Sequence, residues 1–155
     1  MAGAGRRAFV RALRDVFGWE DEIEYICFSG ATDLSVLDQI ARRRRYSLSS
    51  EETTEFFDAL TAHFRGALHD APAMVFPGVP RLLQALADDG RFLLGLVTGN
   101  VESCARLKLA HFGLHGLFLS APSATNMRIA TISRDWPSNA PWTMWVLARK
   151  SEVGS

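Results

Sequence analysis

The sequence predicts an α/β chain in which a mainly helical part is followed by a strand of the kind found in a helix-flanked parallel sheet. Three observations predict it. Helical periodicity dominates the first two thirds of the chain. FLLGLV, residues 92 to 97, is continuously apolar, as in a strand covered on both faces. That run then breaks at Thr98-Gly99-Asn100 and hands over to a second helical pattern.

Composition frames these observations. At 155 residues, with 48% hydrophobic and 22% charged residues, the chain can bury a core of its own. Seventeen basic residues balance seventeen acidic ones, which argues against nucleic acid or an anionic membrane as a partner. Cys27 and Cys104 are too few for a disulfide scaffold or a zinc cluster. No secretory segment or long apolar span stands out, so the expected compartment is the cytoplasm.

The elements follow in order. Residues 4 to 17 place Phe9, Val10, Leu13, Val16 and Phe17 on one helical stripe, and Gly18 ends it. An irregular acidic and aromatic stretch runs from there to Gly30. A second helix begins at Asp33, whose carboxylate suits the free N–H groups ahead of Leu34, Leu37 and Ile40. The run Arg42 to Arg45 closes it, reading as a solvated helix end where cations complement the dipole. Ser49 lies three residues before Glu52, the spacing of a capping box, and opens a helix carrying Phe56, Phe57, Leu60 and Phe64 to about Leu68. Pro77 and Gly78 then make a turn, Val79 to Ala87 form a short helix, and Gly90 leads into FLLGLV.

The candidate site sits where that strand ends. In parallel α/β sheets ligands bind outside the carboxyl ends of the strands. Small residues at Thr98-Gly99-Asn100 let a ligand approach the backbone, and the next helix offers unpaired N–H groups suited to phosphate. The alternative is ordinary: Asn100 caps the helix and Thr98 is its strand's last residue. Farther along, positions 101, 104, 105, 108 and 112 share one helical face and read Val, Cys, Ala, Lys, Phe. Lys108 thus interrupts an apolar stripe, so it either snorkels to water or meets an anion.

Taken together, FPGVPRLLQALADDGRFLLGLVTGNVESCARLKLAHFGL resembles the region around the second motif of haloacid dehalogenase superfamily phosphatases, of the phosphoglycolate phosphatase-like kind. GAGRRAFVRALRDVFG and FSGATDLSVLDQIARR are similar to the opening of that family's helical cap, so the resemblance spans about residues 3 to 118. It implies a partial Rossmann-like core over residues 76 to 118 under a cap over residues 4 to 75. It further implies a magnesium-dependent phosphomonoester hydrolase acting on a small phosphorylated metabolite. In that reading Thr98 hydrogen-bonds the transferring phosphoryl group and Lys108 stabilises its charge. Gly30, Thr32 and Asp33 lie near the cap hinge and the substrate pocket, with Gly99 and Asn100 beside them.

The family's chemistry also needs an aspartate nucleophile in a DxDGT-like motif, a second aspartate as acid and base, and acidic ligands for the ion. This chain contains no Asp-x-Asp, and the resemblance implies that the nucleophile strand lies upstream of Met1. The missing strand would leave an open sheet edge along Phe92, Leu94 and Leu96. After Phe118, LSAPSATNMRIATISRDWPSNAPWTMW loses both periodicities and contains no Gly-Asp pair. Joining the last base of each codon to the first two of the next permits Gly-Asp-Glu soon after Ser120. The same shift forces Ala at Trp136-Pro137, Asp at Trp142-Thr143 and Val at Met144-Trp145. A change of reading frame near Leu119 is therefore expected, giving an aberrant tail over residues 119 to 155. The alternative to a hydrolase is a non-catalytic remnant or pseudogene product that keeps the cap fold.

Overall fold

In the computed structural model, the residues described are 2–28, 30–69, 74–89, 91–118, 129–131 and 148–149. Helix α1 spans Ala2–Phe17, two residues earlier than its stripe required. Gly18 ends it at φ 66°, where its N–H donates to the Arg14 carbonyl (2.9 Å) and that of Trp19 to the Leu13 carbonyl (3.2 Å). Those two bonds satisfy carbonyls that the helix end leaves free.

Helix α2 (Asp33–Arg43) corrects the expected cap. Its N-cap is Thr32, not Asp33. The Thr32 hydroxyl accepts from the Ser35 N–H (3.1 Å), and the Ser35 hydroxyl accepts from the Thr32 N–H (3.0 Å). A serine thus plays the part usually taken by Glu or Gln in a capping box, leaving the Asp33 carboxylate unused by its own helix. Thr32→Ala is expected to lower stability by about 1 kcal/mol in a urea titration; an unchanged midpoint would mean that Ser35 holds the turn alone.

The arginine run also does more than expected. Arg43 lies over the Tyr25 ring (4.3 Å) and Arg44 over the Trp19 ring (5.0 Å), and Arg44 pairs with Asp21 (3.3 Å). These contacts tie the acidic and aromatic stretch onto the end of α2. The signal was in the sequence, since that stretch supplies both the carboxylates and the rings such cations seek.

Helix α3 (Ser50–His69) starts at the expected box: the Ser49 N–H donates to Glu52 (2.8 Å), and the Glu52 N–H donates to the Ser49 hydroxyl (3.1 Å). It packs along α1, and with α2 the three form one apolar cluster around Phe9, Leu13, Leu37, Ile40, Phe56 and Leu60. Helix α4 (Val79–Asp88) follows Gly78, which turns the chain at φ 87° and so accommodates Pro80 in the first helical turn.

FLLGLV does not form one strand. It splits into β1 (Phe92–Leu93) and β2 (Leu96–Thr98), separated by Leu94 and Gly95. β1 pairs antiparallel with β4 (Ala148–Arg149), whereas β2 pairs parallel with β3 (Ile129–Thr131) in the register Leu96↔Ile129, Val97↔Ala130, Thr98↔Thr131. Opposite partners forbid a continuous ladder, and Gly95 has no side chain to hold one together. The described structure is therefore mainly helical, and the expected parallel sheet is limited in it to that three-residue ladder. The rest of the expected tail, with its altered reading frame, lies outside the described residues.

Helix α5 (Glu102–His111) and a 3₁₀ turn, His115–Phe118, complete the order. α5 serves two clusters at once. Cys104 joins the cluster of α1 to α3, while Ala105 and Leu109 join Leu83, Leu96, Leu114 and Phe118 in a second. Consecutive residues 104 and 105 are both buried because the helix lies between the two. Among the described residues, no helix is long and apolar enough to cross a membrane.

Candidate functional site

The turn between β2 and α5 is held by a residue from the other cluster. The Asp33 N–H donates to the Gly99 carbonyl (2.8 Å), and the Asp33 carboxylate accepts from the Val101 N–H (2.8 Å). The Asn100 amide N–H₂ also reaches both carboxylate oxygens, at 3.3 and 3.4 Å. Its carbonyl oxygen accepts from the Lys108 ammonium, one turn and more along α5. Asp33, Asn100 and Lys108 thus form a relay in which one amide bridges an anion and a cation.

Each member is there for a local reason. Thr32 and Ser35 satisfy the start of α2, so Asp33 can turn its carboxylate outward from its own helix. Val101 is the N-cap of α5, and it has no side chain able to accept a hydrogen bond. Asp33 therefore caps α5 from 68 residues away. The alternative reading of the turn, in which Asn100 caps that helix, is thus corrected. Gly99 is buried, and its carbonyl accepts from the N–H of Asp33, the first residue of α2. Lys108 is half-buried, with its ammonium 5.0 Å from the centre of the Phe64 ring, so it turns inward to an amide and a π face instead of reaching for water.

Electrostatics follow from burial. Desolvation pushes the Asp33 carboxyl above its ordinary value, against the pull of the Val101 N–H, the Lys108 charge and the Asn100 amide. Desolvation likewise pushes the Lys108 ammonium down, with Asp33 and then Cys104 opposing it. Burial raises the Cys104 thiol too, so it is a poor nucleophile; Thr61 lies 3.7 Å from its sulfur.

The sequence-predicted residues fall into two groups. Asp33, Gly99, Asn100 and Lys108 meet directly. Thr98 is adjacent, its hydroxyl accepting from the Asn100 N–H (3.2 Å). Thr32 serves the α2 cap, and Gly30 is an exposed turn residue at φ 75°. Sequence reasoning missed the trans cap, because nothing local in FSGATD or TGNVES announces a partner on a distant segment. It also missed the hydroxyl pair of Thr61 and Ser103, 2.6 Å apart, which ties α3 to α5.

Two surface depressions lie away from the relay. One, of about 520 Å³, is lined by residues at the end of α2, including Arg42, Arg45 and Tyr46; the other, of about 310 Å³, lies between α3 and α5 around Arg65, Arg106 and Leu107. Neither touches Thr98 or Lys108. No group of three or more His, Cys, Asp or Glu residues is arranged to hold a metal ion among the described residues. Magnesium requires several oxygen ligands, and the Asp33 oxygens are already engaged, so the described residues do not form a magnesium site. No family model matches the chain, and no curated protein was found to be similar to it.

Proposed function

We propose that this chain is the helical cap and part of the α/β core of a haloacid dehalogenase superfamily phosphomonoester hydrolase, of the phosphoglycolate phosphatase-like kind. Its phosphate-directed site lies at the end of β2. The observation that carries this reading is the meeting of Thr98, the start of α5, Asn100 and Lys108 at one point, next to a residue from the helical part. Backbone N–H groups, an amide and an ammonium are the donors a phosphate oxygen seeks. In this reading the Thr98 hydroxyl donates to a phosphoryl oxygen and Lys108 offsets the charge that develops there. Magnesium, where the family binds it, would screen the approach of a carboxylate nucleophile to an anionic phosphate.

A second reading has its own support. Lys108 already has its acceptor in Asn100 and a nearby anion in Asp33, so the relay is satisfied without a ligand. On that reading the chain is a non-catalytic cap-fold protein. Both readings expect the chain as given, which contains no Asp-x-Asp, to release no p-nitrophenol from p-nitrophenyl phosphate above a buffer blank, with or without magnesium. They part on binding. Isothermal titration of the chain with inorganic phosphate is expected to show saturable binding that Lys108→Ala weakens by about tenfold or more. Absence of binding both in the wild-type chain and in Asp33→Asn would favour the second reading.

A further inference from the structure

Asp33 is an odd residue to find at a phosphate site. A carboxylate repels the anion that the neighbouring N–H, amide and ammonium groups would attract. Its own helix does not require it, since Thr32 and Ser35 close that N-terminus between them. Yet its two oxygens collect three hydrogen bonds from the far segment: Val101 N–H at 2.8 Å, and the Asn100 amide at 3.3 and 3.4 Å. The Lys108 charge stands behind that amide. These are the donors assigned above to an incoming phosphate oxygen.

We infer that Asp33 is an internal stand-in for the phosphate: its carboxylate occupies the ligand's donors, so that anion binding and the side-chain contact between α2 and the Gly99–Val101 turn are alternatives. This rests on the phosphate reading of the site. The exchange is balanced. One anion leaves Val101 and Asn100 as another arrives, and α5 keeps a capping acceptor throughout. A phosphate monoanion or dianion can accept from more donors at once than a carboxylate, and it gains the Lys108 charge directly. Burial already holds the ionised carboxylate at a cost, which lowers the penalty for its release.

The backbone makes the exchange local. The Asp33 N–H stays bonded to the Gly99 carbonyl by a contact that does not involve the side chain (2.8 Å). Rotation of one side chain therefore frees the site while that tie persists as a hinge. In this arrangement Asp33 sets the threshold of the site. Ligands with a single weak negative charge fail to displace it, and phosphomonoesters succeed.

The test titrates inorganic phosphate into the full chain and into Asp33→Asn, which keeps an oxygen for the Val101 N–H and removes the competing charge. Asp33→Asn is expected to bind phosphate about tenfold more tightly than wild type. In parallel, the wild-type Asp33 side-chain carboxyl ¹³C resonance is followed by NMR through the titration, and it is expected to move to the position of a solvated carboxylate as phosphate saturates. That measurement reads the same exchange if Asp33→Asn does not fold. Wild-type phosphate binding with an unmoved Asp33 resonance, or with no tightening in a folded Asp33→Asn, would overturn the inference and leave the phosphate reading standing. Binding by neither protein would overturn both. Binding by Asp33→Asn alone would show the internal carboxylate to be dominant, in support of the inference.

Discussion

Phe56→Ala is expected to cost about 3–5 kcal/mol and to leave little folded protein at room temperature. Phe56 is 0% exposed and sits where three helices meet. Its ring stands edge-on to Phe9 at 4.9 Å and to Phe57 at 5.4 Å and lies nearly parallel to Phe17 at 6.0 Å, so the substitution removes three aromatic contacts along with the buried area. The cavity would open between α1 and α3, the most extensively packed pair of helices, and neither can shift inward without losing Leu13 or Leu60 from the same cluster. Urea unfolding followed by circular dichroism measures the effect. A loss below about 1 kcal/mol would mean that the site collapses around the alanine, and that the three helices are held by something other than this core. Phe57 is the control, as it is only partly buried against the same cluster and should cost less.

Much of the helical part is legible in the sequence. The stripe of Phe9 and Leu13, the Ser49–Glu52 spacing and the glycine at 18 are local signals, and each is answered by a local hydrogen bond or a buried face. FLLGLV misled because an apolar run reports burial and says nothing of how strands pair. Leu96 is buried as expected, but the ladder breaks at Gly95 since its two halves take partners of opposite direction. Lys108 was legible as an anomaly. A cation on a face with Val101, Cys104 and Ala105 had to find something polar inside. What it finds, Asn100, lies eight residues back on the same segment and was within reach of sequence reasoning. Asp33 was legible as a helix-capping residue but was assigned to the wrong helix. Thr32 and Asp33 are both competent caps, and only the fold decides that threonine serves α2 while aspartate crosses to α5.

That crossing makes Asp33→Ala the second severe substitution, at about 3 kcal/mol. It removes the acceptor of the Val101 N–H, uncaps α5, and leaves the half-buried Lys108 without the one carboxylate of its relay. Because α5 contributes to both apolar clusters, fraying its first turn loosens Cys104 and Ala105 together. The dependence on pH has a definite sign. The Asp33 carboxyl is raised above 3.8 in the folded chain, chiefly by burial, so the folded state holds its proton more tightly than the unfolded state does. Its contribution to stability is thus fully present below pH 3.8 and declines as pH rises from there through the folded value. Lys108, lowered from 10.5 by burial, acts in the opposite sense: the unfolded state holds the proton longer, so stability rises with pH between the folded value and 10.5. Asp21 complicates the acid limb, as its carboxyl lies below 3.8 despite the opposing effect of burial, through bonds to Ile23, Tyr25 and Arg44, and it loses stability on acidification. Subtracting Asp33→Ala from wild type at each pH cancels that contribution, because Asp21 is common to both proteins. The difference in urea midpoint is expected to be largest at the acid end and to shrink toward neutrality. A difference that grows with pH would mean that the ionised Asp33–Asn100–Lys108 relay outweighs its desolvation, and that the carboxylate is fixed in place instead of being poised to leave.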